Sequence, residues 1–487
     1  MIIGLDIGTQ SAKAVVINEA MDVLGSASHS YTVSYPKPGW AEQDPALWES
    51  ALGPVIEAAL EDANVPKDQI TTLGLAGQLD GAVATDEAGQ PLHPCLIWVD
   101  KRATDIMAQI PADRVHPISG VVADPSHMAA KIVWLKQALG EAASDAHYHQ
   151  PVSWLVERLT GERVLDHGHA STTMLYNLKS RSWSGELLAA FGIDVRELPR
   201  IDDSFAAAGH LTPEGAALTG LPQGVTVAVG TGDDFSNPLG AGLAKPGQLA
   251  CCLGTAEVVG ALDESPKIDD TGLLQTLGYP TGHYFIENPG WLSGGSVEWA
   301  AGILGFGSPA ELDRAAAEIP PGSDGVLFLP TLGGATAPEW IASARGCFYG
   351  LTPAHDRRHM ARAVLEGCAF AMRDVADRLH EMRVPLDSVF LLGGGARSDP
   401  WAQIRADLSG LPVIVPDVAD TSPVGAAVLA AVAGGTYATV SSAAAAIGGE
   451  TKTFNPAPAL KAAYDAAHGA YRRLFESLKP VFEAPSP

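Results

Sequence analysis

Along this chain, short apolar runs with strand character alternate with longer stretches whose apolar residues recur at helical spacing. That alternation predicts α/β architecture rather than a sandwich or a bundle. The opening run, Met1-Ile-Ile-Gly-Leu-Asp6, is apolar without alternation, the pattern of a strand covered on both faces. It enters the turn Ile7-Gly8-Thr9-Gln10 and then a second strand-like run over 12–18, a glycine-cornered β-hairpin. A related pattern returns where Gln248-Leu-Ala-Cys-Cys-Leu253 leads into Gly254-Thr255-Ala256 and the apolar Val258-Val259-Gly260. The same unit occurring twice, half a sequence apart, predicts two similar α/β domains, each offering one Gly-Thr turn to a shared cleft.

Glycine and proline concentrate in Gly240-Ala-Gly-Leu-Ala-Lys-Pro-Gly247, which divides the chain into domains 1–243 and 244–487. Beyond Phe454, Pro-Ala repeats precede an amphipathic helix over 460–478, expected to dock on the second domain and to end in a short disordered tail. Length agrees with two domains, because single cores stop growing near roughly 250–300 residues and this chain has 487, of which 46% are hydrophobic. The net charge of −25 repels phosphate backbones and anionic lipid, so neither nucleic acid nor a membrane surface is an expected partner. A nucleotide can bind only where backbone N–H groups, a magnesium ion and a few cationic side chains overcome that field. Five cysteines form no C-x-x-C pair and no metal spacing with histidine, which points away from disulfides and zinc and toward a reducing cytoplasm. No leader pattern opens the chain, and the apolar run 424–433 is too short for a bilayer.

Phosphoryl transfer to an alcohol needs donors that cradle phosphate, a metal held by carboxylate, and a carboxylate that takes the hydroxyl proton. Asp6-Ile7-Gly8-Thr9 sets a carboxylate at a strand end beside a turn whose missing Cβ lets N–H groups approach an anion, and Lys13 adds a cation. A plain hairpin with Asp6 as turn cap would use the same residues. The apolar run 225–229 ends in Gly230-Thr231-Gly232-Asp233-Asp234, where an acid directly after the turn can meet a substrate hydroxyl. Asp233 is the candidate general base; Asp234 either braces the corner or joins it at the substrate. Finally, Phe390-Leu-Leu runs into Gly393-Gly394-Gly395-Ala396-Arg397-Ser398-Asp399 and a helix through Leu408, a strand, glycine loop and helix start suited to a nucleotide.

Taken in order, Asp6-x-Gly-Thr, Pro38-Gly-Trp-Ala-Glu-Gln-Asp44, Gly77-Gln78, Trp98-x-Asp100-x-Arg102, Gly232-Asp233, Gly254-Thr255 and Gly393-Gly-Gly-Ala-Arg-Ser398 resemble the FGGY carbohydrate kinases, most nearly their xylulokinase branch. The resemblance implies two actin-like, ribonuclease H-like domains with ATP and Mg²⁺ in the cleft between them and the sugar deeper, against the N-terminal domain. By matching position it implies Asp233 as base and, with Asp6, as magnesium holder. Gly8, Thr9, Lys13, Gly254 and Thr255 would line the phosphates; Gly294, Gly395, Ala396 and Asp399 would flank the adenosine. Gln78, Leu79, Asp80, Trp98, Asp100, Arg102 and Asp234 would face the sugar. A homodimer is left open. His127-Met-Ala-Ala-Lys131-Ile-Val-Trp134 also matches a family segment, but its spacing is that of a buried helix face, and it is taken as core.

Three departures bear on substrate. The xylulokinase branch reads Gly-Gln-Met-His-Gly where this chain has Gly77-Gln78-Leu79-Asp80-Gly81, and an acid there accepts hydrogen bonds from adjacent hydroxyls, as in the glycerol-kinase branch. Val99 replaces a usual asparagine, and the segment 329–338 lacks the Glu-Arg of the common Gly-Glu-Arg-Thr-Pro loop. The expected reaction is D-xylulose to D-xylulose 5-phosphate, with a polyol (erythritol, ribitol, arabinitol or glycerol) or another ketopentose such as ribulose as the alternative. A chaperone- or filament-type ATPase on the same fold is disfavoured, since Gln78, Asp80, Asp100, Arg102 and Asp233 form a second polar cluster that a pure ATPase does not need.

Overall fold

The computed structural model describes residues 1–418 and 420–483, and the chain divides into two compact units. The first comprises residues 1–245, 276–284 and 418–448; the second comprises 246–275, 285–417 and the chain from 449 onward. No helix among the described residues is long and apolar enough to cross a membrane.

The first unit is built on strands β1 (Ile2–Ile7), β2 (Ser11–Ile17), β3 (Val23–Ser30), β4 (Thr72–Gly77), β5 (Ala207–His210), β6 (Thr226–Ala228) and β7 (Thr231–Gly232). Their order is β5-β6-β4-β1-β2-β3, with β7 paired to β4. β1 and β2 form the predicted hairpin, while β4 joins β1 in parallel. Every residue of β1 and of β4 is buried, which explains why both read as unbroken apolar runs.

The second unit carries β8 (Gly247–Leu253), β9 (Ala256–Asp263), β10 (Tyr284–Leu292), β11 (Leu386–Leu392), β12 (Val413–Pro416) and β13 (Thr451–Phe454), in the order β10-β9-β8-β11-β12-β13. From β9 to β13 the pairings run antiparallel, parallel, parallel, antiparallel. The first unit has the same series from β2 to β5. The repeated hairpin is therefore the start of a repeated sheet. The Lys461–Phe482 helix lays Tyr464, His468, Tyr471, Phe475 and Phe482 into the second unit's core, as a docking helix should; the expected disordered tail lies outside the described residues.

The units part between 245 and 246, two residues from the expected boundary, but residues 418–448 differ from it altogether. Assigned by sequence order to the second domain, they pack in the first. The Thr421–Ala433 helix is buried on all sides, and its backbone lies directly on β1 and β4. A Cβ added at Gly4 would overlap the Pro423 carbonyl oxygen, and one at Gly74 would overlap that of Ala426. Only glycine in those two strands lets the helix come so close.

Candidate active site

In the first unit, strand register gathers the acids. Asp6 and Ile7 of β1 pair with Ala76 and Gly77 of β4, while Thr231 and Gly232 of β7 pair with the same two residues from the other side. Asp6 and Asp233, the first residue of the Asp233–Gly240 helix, therefore flank one end of β4. The Gly8-Thr9 corner is pinned by Tyr31, whose hydroxyl donates to the Gly8 carbonyl at 2.6 Å, by Gln43 Nε2 donating to the Thr9 carbonyl at 2.8 Å, and by Trp98 Nε1 donating to Thr9 Oγ1 at 3.0 Å. Lys13 lies opposite Asp6 in the hairpin and forms a 2.7 Å ion pair with Asp420.

The electrostatics of this cluster are unbalanced. Burial pushes the Asp6 carboxyl up to about 6 against the opposing pull of a Ser422 hydrogen bond and then of the Lys13 charge. Burial, then the charges of Asp234 and Asp6, hold Asp233 well above the usual carboxylate range. Loss of water and the Asp80 charge push Asp234, whose side chain still reaches solvent, up to about 6. Asp6 Oδ1 is buried with no hydrogen-bond partner. An orphaned carboxylate oxygen among mutually repelling acids fits a divalent cation. No group of three or more His, Cys, Asp or Glu among the described residues is placed to hold a metal.

Beside this cluster, Gln78 Nε2 donates to Gln43 Oε1 at 2.8 Å, leaving Gln78 Oε1 buried and unpaired. Leu79 packs where a Cβ on Gly232 would stand, holding the approach to Asp233. Asp80 takes a left-handed backbone conformation (φ 56°). Its N–H donates to Gln150 Oε1 at 2.9 Å, and Lys131 Nζ donates to its carbonyl at 2.7 Å. Asp80 Oδ2 lies 3.1 Å from His127 Nδ1, and Oδ1 is buried without a partner. The Trp98 ring is half exposed above Thr9.

Asp100 and Arg102, expected to face a substrate, are turned on each other. Both Asp100 oxygens lie 2.9 Å from Arg102 Nε; Oδ2 also accepts the Ala41 N–H at 2.6 Å and Oδ1 the Arg102 N–H at 3.0 Å. The guanidinium also pairs with Glu42 at 2.7 Å and lies 3.8 Å from the Trp40 ring centre and 4.8 Å from that of Trp134. With their side chains 0% and 1% exposed, the pair is used up in bracing the loop under Trp98.

The segment taken as a plain core face also proves more specific. Lys131, on the Met128–Leu139 helix, is fully buried; its ammonium reaches the Asp80 and Ile97 carbonyls, and burial lowers its pKa to about 8. A lysine on an otherwise apolar helix face was the available signal, since a buried cation must be paired. Asp166 was not singled out either. It accepts Thr231 Oγ1 at 2.7 Å and His169 Nδ1 at 2.6 Å, and so fixes the strand leading to Asp233.

In the second unit, the Gly254 N–H donates to the Ala256 carbonyl at 2.9 Å, closing the corner between β8 and β9. The Thr255 carbonyl accepts the N–H groups of Ser293 at 3.2 Å and Gly295 at 3.0 Å. A Cβ on Gly294 would overlap the Gly254 carbonyl, so the start of the Gly294–Ile303 helix abuts the corner. A Cβ at Gly393 would stand 2.6 Å from the Leu253 carbonyl oxygen, and one at Gly395 would overlap the Leu253 side chain. Gly254, Thr255, Gly294, Gly395 and the buried Ala396 thus gather at one end of β8. Asp399 lies on the surface, 3.0 Å from Lys452. Beneath the corner, Arg405 Nη2 meets Glu257 Oε2 at 2.8 Å, both side chains fully buried, and Ser293 Oγ donates to the same oxygen at 2.7 Å.

Residues 1–240 match the model of the FGGY family of carbohydrate kinases, N-terminal domain, and residues 249–434 match its C-terminal domain. The chain is 32% identical to the xylulose kinase of Escherichia coli K12 over 488 residues, covering 99% of this chain and 100% of that one. It is 31% identical to the glycerol kinase of Thermococcus onnurineus over 445 residues, 89% of each. Among solved structures, the xylulose kinase of Rhodospirillum rubrum superposes with a TM-score of 0.91 at 30% identity, covering 99% of both chains.

Proposed function

This chain belongs to the FGGY family of carbohydrate kinases, with its two-domain, actin-like ATPase fold, and is an ATP-dependent phosphotransferase for a sugar or polyol hydroxyl; we propose that its acceptor is D-xylulose and its product D-xylulose 5-phosphate. What supports this choice is similarity to xylulose kinases at 32% and 33% identity, with a glycerol kinase close behind at 31%.

In the proposed mechanism the first unit binds the acceptor and performs the proton transfer, and the second holds the nucleotide. Gln78, Leu79, Asp80, Trp98 and Asp234 orient the sugar. Asp233 takes the proton of the reacting hydroxyl as that oxygen attacks the γ-phosphorus and the bond to the β-γ bridging oxygen breaks to release ADP; a carboxyl held above its usual range is suited to accepting that proton. Gly8, Thr9 and Lys13 meet the transferred phosphoryl group, with Asp420 sharing the Lys13 charge until phosphate takes its place. Gly254, Thr255, Gly294, Gly395 and Ala396 present backbone to the nucleotide, and Asp399 lies at its rim. Magnesium, bound by Asp6 and Asp233, would neutralise charge on the phosphates and lower the pKa of the base.

A polyol acceptor is the second reading, and one observation favours it. The unpaired buried atoms Gln78 Oε1 and Asp80 Oδ1 are both acceptors, which suit hydroxyl donors better than a carbonyl oxygen. ADP release with Mg-ATP over a panel of pentuloses, hexuloses and polyols separates the two. The highest kcat/KM on D-xylulose supports the first, and the highest on a polyol replaces it with the second.

A further inference from the structure

Three features of the Asp80 corner go beyond its being acidic. Its backbone is held from both sides, by Gln150 at the N–H and Lys131 at the carbonyl, in a left-handed conformation that an aspartate adopts at a cost. Its carboxylate is divided, with Oδ2 against His127 Nδ1 and Oδ1 unpaired. His127 itself is 7% exposed and immediately precedes the Met128–Leu139 helix, which also carries Lys131. One short segment therefore supports both the backbone and the side chain of the same residue.

We infer that His127 is a positioning residue that sets acceptor selectivity: its Nδ1–H holds Asp80 Oδ2, so that Oδ1 is the one carboxylate atom left for a substrate hydroxyl. The inference rests on the proposed role of Asp80 at the acceptor, but not on which sugar or polyol is used. Carboxylate oxygens only accept hydrogen bonds, so the imidazole must donate from Nδ1, and that bond fixes the tautomer. Without it the Asp80 side chain can turn about χ1 and χ2, and the geometry that ranks one arrangement of hydroxyls above another is lost. The bond is charge-assisted, and such bonds contribute more than neutral ones.

Asparagine and glutamine separate this role from simple packing. An asparagine amide can place its N–H where Nδ1 stood, whereas glutamine reaches toward the Nε2 position. His127→Phe is expected to lower kcat/KM for the best acceptor by about tenfold to a hundredfold, the loss of a charged hydrogen bond, through the acceptor KM, with the ATP KM unchanged. His127→Asn should recover most of that loss and His127→Gln should not. Asp80→Asn combined with His127→Phe should be no worse than Asp80→Asn alone. Equal losses in the Asn and Gln variants, a parallel rise in the ATP KM, or a double variant losing the product of the two single effects would each overturn the inference. Should His127→Phe fail to fold, the Asn and Gln variants carry the same contrast.

A spectroscopic arm needs no turnover, so it still decides if the acceptor panel shows the proposed substrate to be wrong. Imidazole ¹⁵N shifts should report a single Nδ1-protonated tautomer at His127 in the wild-type chain and a mixture in Asp80→Asn. Unchanged shifts between the two would refute the pairing.

Discussion

Replacing Arg405 with methionine would strand Glu257 in the core of the second unit, where both partners are fully buried. The stranded carboxyl could stay ionised without a partner or take up a proton, and the second is cheaper in a low-dielectric interior. For a glutamate with an ordinary pKa of about 4.3 in the unfolded chain, carrying the proton at pH 7 costs about 4 kcal/mol, at about 1.36 kcal/mol per pH unit. This matches the roughly 3–5 kcal/mol typical of breaking a buried pair. At pH 5 the same cost is about 1 kcal/mol. The sign is set by linkage: the folded variant binds a proton that the unfolded chain releases above its own pKa, so the penalty grows as pH rises and fades toward pH 4. Urea unfolding followed by amide hydrogen exchange in β8 and β11, which pair in this unit's sheet, reports it. The double variant Glu257→Leu with Arg405→Met should regain most of the stability, since apolar pairs can replace buried ion pairs. It should not regain the ATP KM, because Ser293 Oγ loses its acceptor beside the Thr255 corner. A single variant that loses less than about 1 kcal/mol at pH 7 would refute the reasoning, as would a loss independent of pH or a double variant with wild-type ATP KM.

Three further outcomes are expected. Asp233→Asn should lower kcat by about 10²–10⁴ with nucleotide binding intact by calorimetry, and a variant keeping more than a tenth of wild-type turnover would remove Asp233 as base. Asp80→His should lower kcat/KM for the native acceptor by about tenfold to a hundredfold and, if that acceptor is a polyol, raise relative activity on xylulose; equal losses on every member of the panel would make Asp80 a support of the loop. Because Asp6 is held up to about 6 in the fold from its ordinary value near 3.8, the native state binds an extra proton between those values and gains stability as pH falls through them. Asp6→Asn should therefore raise the melting temperature at pH 7 and not near pH 4 while abolishing turnover, and an equal or lower melting temperature at pH 7 would contradict the burial argument.

Much of the molecule was legible because it is local. A glycine-cornered hairpin is settled by a few neighbouring residues, and its second copy announced the second sheet. The strand, turn and acid at 225–234 and the glycine run at 393–395 are local in the same way, and each stands where its pattern placed it.

What the sequence alone determined, then, is the set of elements, the repeat, the family and the few acids able to do the chemistry, since each depends on spacing along the chain. Tertiary structure decided partnership. An apolar helix reads as buried but not as buried against which sheet, and glycines at positions 4 and 74 bring the Thr421–Ala433 helix to the first unit. A charged residue in a motif looks the same whether it awaits a ligand or already has a partner: Asp100 is consumed by Arg102, while Asp80 keeps a free oxygen because His127, 47 residues away, takes the other. Glu257 and Arg405, 148 residues apart, carry no sign of each other in the sequence. Hydrogen bonds and ion pairs act over about 3 Å, and only the folded chain brings such distant residues within that range.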